Sequence, residues 1–397
     1  MIKKRGSNSR NTIYRGFKIK LYPTDDQVEL FYRNIHCCRF MWNCMLTIQK
    51  RYQVVSGDRY EYDDTVAIMT EMRNGGKYPW LNDVSKTSLL IILNDLDEAF
   101  RNYDKGIVEG PPKFKFKKKY KKSFPVRYDR TYINGDCVHI EKIGMVKFKA
   151  NRRLSNLEHC KFINPRITLT KHHKWILSFT LECDKQVSSE PLIGNMGIDM
   201  GIRRLATVSY LTQTSYIPNI NKSAKVKRLR HKLRYLHRKV GRLYRKHGNY
   251  IKSKHIERIE DQIRAIYHHL SNIVKDYNDK QTRYLVNLNP HQVIMENFEV
   301  KELLKKMWRP MRREILYAAW YDFRDKMERK CAERGIIFTR AYRSFPSTQM
   351  CFECGDIKTG KDKLTTRDHI FVCNKCGYKA DRDVNAARNL EWYGDSI

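Results

Sequence analysis

Cys351-Phe352-Glu353-Cys354-Gly355, Cys373-Asn374-Lys375-Cys376-Gly377 and Asp381-Arg382-Asp383-Val384-Asn385-Ala386-Ala387 make up the stretch from which the rest of the chain can be read. The two Cys-x-x-Cys pairs are separated by eighteen residues, Gly355 to Val372, which is zinc-ribbon spacing. Each pair offers two thiolates on a tight turn, and Gly355 and Gly377 free the backbone to wrap an ion. Four sulfurs satisfy tetrahedral zinc and leave no open position, so the expected metal is structural. Two disulfides are the competing reading, and the repeated spacing with its paired glycines weighs against them. An acidic segment directly after a closed ribbon needs a different explanation.

Composition narrows that explanation. The chain has 397 residues, which suggests two or three domains and ample core. Its 78 Lys and Arg outnumber 43 Asp and Glu, a net charge of +35. So large an excess opposes compaction unless a polyanion neutralises it, which makes nucleic acid the leading partner. A basic membrane-surface protein fits less well: the longest apolar run, Ile315 to Tyr321, is far too short to span a bilayer. Met1-Ile2-Lys3-Lys4-Arg5 lacks the apolar core of a secretory signal. The cysteines outside the ribbon (Cys37, Cys38, Cys44, Cys137, Cys160, Cys183 and Cys331) show no framework spacing. A reducing compartment permits that, and a cytoplasmic, nucleoid-associated location is expected if the source is prokaryotic.

From the other end of the chain, Phe17, Ile19 and Leu21 alternate with Lys18 and Lys20 and predict a strand. Thr24 and Gln27 predict a capping box, opening a helix with Phe31, Ile35, Cys38, Trp42 and Met45 on one side. A second helix is expected from about Ser85 to Tyr103, with a loop-rich part around Gly75-Gly76 and Pro79-Trp80 between them. After Gly110-Pro111-Pro112 comes Lys113-Phe114-Lys115-Phe116-Lys117-Lys118-Lys119-Tyr120. Lysines interleaved with aromatics suit a strand that contacts phosphates and stacks bases, so Lys113, Lys115, Lys117 and Lys118 are candidate nucleic-acid contacts. Short strands follow at 138–140, 145–148, 167–169 and 175–182. The set predicts a small β-barrel over 1–23 and 106–184, interrupted by a helical domain over 24–105.

Residues 185–190 read as a polar linker. Gly197-Ile198-Asp199-Met200-Gly201 and Leu205–Tyr210 predict a β-hairpin. A helical hairpin with a heptad seam follows over 222–285, and its first arm is dense in Arg and Lys, including Arg228 and Arg234. One-signed charge there favours a nucleic-acid contact over a merely solvated coil surface. Val293-Ile294-Met295-Glu296 is a short apolar strand ending in a carboxylate. One helix with Leu316, Trp320, Phe323 and Met327 inward should follow, stopped by Gly335.

Asp199, Glu296 and Asp383 therefore stand at separate elements, each beside apolar sequence. A single strand carboxylate is weak evidence. Three from different elements, in a polycationic chain, fit oxygen ligation of magnesium: two such ions activate water and stabilise a leaving 3′ oxygen in phosphodiester cleavage.

These motifs, in this order, resemble the TnpB family, the transposon-encoded RNA-guided nucleases related to type V CRISPR effectors. Phe17-Lys18-Ile19-Lys20-Leu21-Tyr22-Pro23-Thr24 and Cys38-Arg39-Phe40-Met41-Trp42-Asn43 are similar to the family's opening. Gly197–Gly201 resembles its first RuvC motif, Ile294–Asn297 the second and Asp381–Ala387 the third, with Pro346–Cys351 leading into the ribbon. The resemblance implies a multidomain α+β protein. Its parts are a wedge barrel with an inserted helical recognition domain, and an RNase H-like RuvC domain over 191–346 and 380–397 with a zinc ribbon inserted at 347–379. It implies Asp199, Glu296 and Asp383 as ligands of two catalytic magnesium ions, and selects Asp383 over Asp381 because the ligand lies two residues before the Asn. Cys351, Cys354, Cys373 and Cys376 would hold zinc. The implied partners are a guide RNA and double-stranded DNA, bound by a monomeric ribonucleoprotein, with no membrane. Tyr52 and Lys86 match positions that face the target-adjacent duplex. The implied activity is RNA-guided DNA cleavage. An RNA-guided repressor without cleavage, a compact type V CRISPR effector and a transposase-like strand-joining protein are the alternatives.

Overall fold

The computed structural model describes residues 12–117, 120–149, 162–170, 172–184, 190–248, 253–297, 302, 304–305, 307–365 and 368–394. The chain divides into two compact units, Met1–Asp184 and Lys185–Ile397. Five of the six residues expected to link them, 185–189, lie outside the described residues, as do Cys160 and Lys118.

In the first unit, β1 (Thr12–Tyr22) is followed by α1 (Asp25–Ser56), α2 (Tyr62–Asn74), α3 (Lys86–Asp104) and six strands: β2 (Ser123–Pro125), β3 (Tyr132–Asn134), β4 (Cys137–Ile140), β5 (Gly144–Phe148), β6 (Ile163–Leu169) and β7 (Trp175–Asp184). The capping box at Thr24 and Gln27 forms as the residues dictate. The strands make one sheet in the order β2-β6-β7-β1-β5-β4-β3. Its outermost strands do not pair with each other among the described residues, so the hydrogen-bonded sheet is open where a closed barrel was expected. β1 pairs with β7 over Thr12 to Leu21 and turns onto β5 at its end. The helices share one core with the sheet: Phe31 of α1 packs 4.9 Å from Trp175 of β7 and 5.7 Å from Phe124 of β2, ring centre to ring centre.

Two further expectations fail in this unit. The loop-rich part contains α2, which buries only Thr65 and Met69 and so shows almost no apolar stripe. The lysine-aromatic run at 113–120 forms no strand among its described residues. It runs along α1 instead, where Trp42 Nε1 donates to the Lys113 carbonyl (3.1 Å) and Asn43 brackets Lys115 through the lysine's backbone N–H (2.8 Å) and carbonyl (3.1 Å). The Lys115 ammonium lies 3.3 Å from the centre of the Trp42 ring, a cation–π contact. Burial pulls its pKa down to about 8. Lys115 is therefore part of the packing of α1, whereas Lys113 and Lys117 remain exposed.

The second unit is built on a sheet ordered β10-β9-β8-β11-β12. Its strands are β8 (Asn195–Met200), β9 (Arg204–Tyr210), β10 (Gln213–Pro218), β11 (Gln292–Met295) and β12 (Ile337–Arg340). β8, β9 and β10 are antiparallel neighbours; β11 and β12 run parallel to β8. The long connection from β10 to β11 is the expected helical hairpin, α4 (Ala224–His247) and α5 (Lys254–Val286), closed on Leu233, Leu236, Ile259, Ile263 and Ile266. The single helix expected after it is two, α6 (Arg309–Ala318) and α7 (Trp320–Arg334). Ala319 breaks them in the left-handed region at φ 53°. That break turns Ile315 inward and leaves Leu316 61 % exposed, contrary to the predicted inward stripe. The small hairpin of β13 (Ile370–Val372) and β14 (Lys379–Asp381) leads into α8 (Arg382–Tyr393), which packs on β8, β9 and β11. No helix among the described residues is long and apolar enough to cross a membrane.

Candidate active site

The parallel pairing of β8 and β11 aligns Ile198 with Met295. The next residue on each chain is Asp199 and Glu296, so two carboxylates emerge side by side where the strands end. α8 brings the third. Asp381 caps that helix, its Oδ1 accepting from the backbone N–H of Asp383 (2.9 Å) and Val384 (3.4 Å). Its Oδ2 pairs with Arg204 at 3.3 Å. Both Asp381 oxygens are thus engaged, while Asp383, in the first turn, lies at the end of β8. A Cβ added to Gly201 would meet Asp383 Oδ2 at 4.0 Å.

Gly197 permits this approach. A Cβ there would lie 2.1 Å from the Ala387 carbonyl oxygen and 2.3 Å from the Glu391 nitrogen. Only a residue without a side chain lets the α8 backbone cross β8 at that point.

Asp199 is buried, 6 % exposed. Burial first, then the charges of Glu296 and Asp383, hold its carboxyl well above the ordinary range, and Arg382 offsets part of this. Glu296 is also raised by burial, against the pull of a Ser347 hydroxyl bond and of the Arg382 charge. Arg382 Nη2 sits 3.2 Å from Asp383 Oδ1. Three neighbouring acidic groups, one buried and two half-buried, with one arginine beside them are costly unless a cation joins them. Oxygen ligands of this kind suit a hard divalent ion.

The four ribbon cysteines meet as their spacing predicts. Their sulfurs all lie within 4.8 Å of one another, and they form the one such ligand cluster found among the described residues. The Cys351–Cys376 and Cys354–Cys373 sulfurs are 3.7 and 3.6 Å apart. A tetrahedron with metal–sulfur bonds of about 2.3 Å has edges of ~3.8 Å, so the cage already has metal-binding dimensions. Backbone N–H groups of Cys376 and Lys375 pull the Cys373 thiol down to about 6.

Sequence reasoning missed the residues that tie ribbon to carboxylates. The Ser347 hydroxyl donates to Glu296 Oε1. Asn389 Nδ2 donates to the carbonyls of Ser347 (2.8 Å) and Met350 (2.7 Å). Asn385 Nδ2 donates to Met350 O (2.7 Å), and its Oδ1 accepts from Phe352 N–H (3.0 Å). Both asparagines are fully buried on α8. The signal was present as two Asn four residues apart on the inward face of a helix beside small alanines. Asn385→Ala should cost ~1–3 kcal/mol, because it strands a buried N–H and weakens the hold on a carbonyl. Denaturant unfolding would show this as a lower midpoint, and thiol labelling of Cys351 should quicken. An unchanged midpoint would mean that the clamp contributes nothing.

The other predicted contacts are placed as follows within their own units. In the first unit, Tyr52 stacks on Tyr60 with ring centres 3.9 Å apart, and Lys86 is exposed at the first turn of α3. Arg228 and Arg234 are exposed on α4.

Three family models match successive parts of the chain: a helix-turn-helix domain of OrfB from IS605 over residues 11–53, a probable transposase of the same type over 179–307, and a Cas12f1-like TNB domain over 320–390. In these three parts the chain is similar to OrfB-type proteins of the IS605 class and to Cas12f1. A relative from Streptomyces pristinaespiralis, provisionally named an RNA-guided DNA endonuclease, is 28 % identical over 382 residues, 95 % of this chain and 89 % of its own. Another from Escherichia coli K12, InsQ, with the same provisional description, is 25 % identical over 96 % of this chain and 93 % of its own. Among solved structures, a Cas12f1 chain from a cryo-EM complex with sgRNA and target DNA superposes with a TM-score of 0.54 at 12 % identity, covering 96 % of this chain and 99 % of that one. Two viral TnpB-like proteins also match this chain, each along 94 % of its length.

Proposed function

We propose that this protein is an RNA-guided DNA endonuclease of the RuvC type, which cuts guide-complementary DNA at a magnesium centre held by Asp199, Glu296 and Asp383. The observation that carries the reading is the pairing of Asp199 and Glu296 at the ends of adjacent parallel strands, with Asp383 delivered by α8. The mixed order β10-β9-β8-β11-β12 supports an RNase H-like frame for it. When bound, a pair of magnesium ions activates the attacking water and stabilises the leaving 3′ oxygen. The chain's own part is to aim the ligands. The Ser347 hydroxyl orients Glu296, Asp381 fixes the first turn that carries Asp383, and Arg382 balances charge beside it. The four cysteines hold structural zinc, so that the ribbon and α8 form one body through Asn385 and Asn389.

Sequence specificity then comes from base pairing with a guide RNA, and the +35 charge grips backbones. Tyr52 and Lys86 face the duplex next to the target, and Lys113, Lys117, Lys118, Arg228 and Arg234 contact phosphates. The particle is a monomeric ribonucleoprotein, cytoplasmic and nucleoid-associated if its host is a prokaryote. The full set of acidic residues favours cleavage over silent DNA binding.

The test is to purify the protein with its bound RNA, sequence that RNA, and offer duplex DNA complementary to the guide segment with randomised flanks. Cutting in magnesium is expected, with loss on ribonuclease treatment or in EDTA. Cutting that survives ribonuclease would sink the guided mechanism. Tight RNA-dependent binding without cutting would identify a repressor.

A further inference from the structure

A cavity of about 390 Å³ opens where the start of α4, the middle of α5, α6 and the single-turn helix Ile220–Lys222 come together. It lies in the second unit and uses none of the three carboxylates. Its floor is apolar at Leu233, which is 5 % exposed. Its walls are cationic: Lys222, Lys227, Arg230, Arg234 and Arg313 line it against one acid, Glu314, which sits 3.5 Å from Lys222.

Arg230 differs from a solvated surface arginine. Its guanidinium carbon lies 3.5 Å from the centre of the Tyr317 ring, and its Nη2 donates to Asn221 Oδ1 at 2.6 Å. Its Nε is buried without a partner. Asn221 is 3 % exposed and itself held by Asn219 through both its backbone N–H (3.0 Å) and its side-chain amide (2.9 Å). Asn219 in turn donates to the Ile202 carbonyl at 2.7 Å, three residues beyond Asp199. The guanidinium is thus fixed before any ligand arrives, and a donor that has given up water is left unused. Across the cavity, Tyr267 is half-exposed with its hydroxyl 3.2 Å from His237 Nε2, leaving an aromatic face available.

Fixed guanidinium, surplus positive charge and an open aromatic ring are complementary to a phosphate attached to a flat base. The geometry points to this cavity as a binding site for one unpaired nucleotide of a single-stranded nucleic acid, its phosphate on Arg230 and Arg313 and its base against Tyr267. The volume admits one nucleotide and excludes a duplex. The inference rests on the nucleic-acid reading above and adds a specific seat to it.

The test uses the full-length chain, stripped of RNA, with 5′-fluorescein hexauridylate and hexathymidylate as probes and a blunt duplex as comparison, read by anisotropy. Arg230→Gln and Arg313→Gln should each weaken hexamer binding about tenfold. Lys254→Gln, which removes one charge from α5 outside the cavity, should change it less than about twofold. The duplex should not distinguish cavity variants from the Lys254 variant. Arg313 is exposed, so its variant remains informative should Arg230→Gln lower the melting temperature. The tighter of the two hexamers identifies the strand that occupies the site. Equal losses in all three variants, or none, would overturn the pocket and leave only a diffuse charge field. A wild-type chain that binds neither hexamer at low salt would overturn the nucleic-acid reading as well.

Discussion

Replacing Asp199 with alanine or asparagine is expected to cut DNA cleavage by the RNA-loaded protein ~10³-fold or more. The loss of several kcal/mol of transition-state charge stabilisation at a metal centre translates to that scale at 1.36 kcal/mol per decade. RNA should still co-purify, because Asp199 is buried at the end of β8. A second readout separates this from misfolding. Asp199 is held neutral-leaning by burial and by Glu296 and Asp383, so the asparagine variant should melt higher than wild type in EDTA at neutral pH. The sign follows from linkage: a carboxyl whose folded pKa is raised destabilises the folded state once pH climbs past its unfolded value near 4. The gap between the two proteins should therefore shrink as pH falls toward that value. Magnesium should also narrow it, since binding stabilises the wild type more than a variant lacking one of the three carboxylates. Undiminished cleavage by either variant would remove Asp199 from the chemistry.

Gly197→Ala should be the most damaging small substitution in the second unit. The new methyl would overlap the Ala387 carbonyl at 2.1 Å and the Glu391 nitrogen at 2.3 Å, both main-chain atoms of α8. A side chain could rotate away; a helix backbone has to translate. Overpacking usually costs ~1–3 kcal/mol, and a backbone clash belongs at or above the upper end. Because α8 carries Asp383 and the asparagine clamp, cleavage and cysteine protection should fall together. Gly241→Ala is the control. It lies within α4 with nothing within 4 Å of an added Cβ, so it should stabilise by ~0.5–1 kcal/mol. Urea midpoints for the pair would settle the matter, and a Gly197 variant unfolding with wild type would mean that α8 does not seat on β8 as described.

These two glycines show what could and could not be read from sequence. The Gly-Ile-Asp-Met-Gly stretch, the Met-Glu strand end and the cysteine pairs carry local patterns, so their elements were legible. What Gly197 faces was not, because α8 follows it by about 185 residues and no periodicity links the two. Ser347 and Asn385 stand within the motifs and Asn389 just beyond the last one; the i, i+4 spacing of the two Asn marks an inward polar face, but nothing in it names Ser347 and Met350 as the distant partners. The contact of Lys115 with Trp42 could not be foreseen, because composition cannot say that an ammonium turns toward an indole. The bend at Ala319 was invisible for a related reason: tertiary packing forces a left-handed alanine where a glycine would have announced the turn. α2 has too few buried residues to print an apolar stripe.

The separation of β8 from α8 also bears on the time course of synthesis. Asp199 and Asp383 are 184 positions apart, which a ribosome crosses in ~10–40 s at the usual elongation rates. Throughout that interval the face of β8 that α8 will cover is bare, and the nascent polypeptide holds two of the three carboxylates at most. The carboxylate cluster is therefore incomplete until α8 has been made. During the same interval its apolar sheet is a natural client for chaperones.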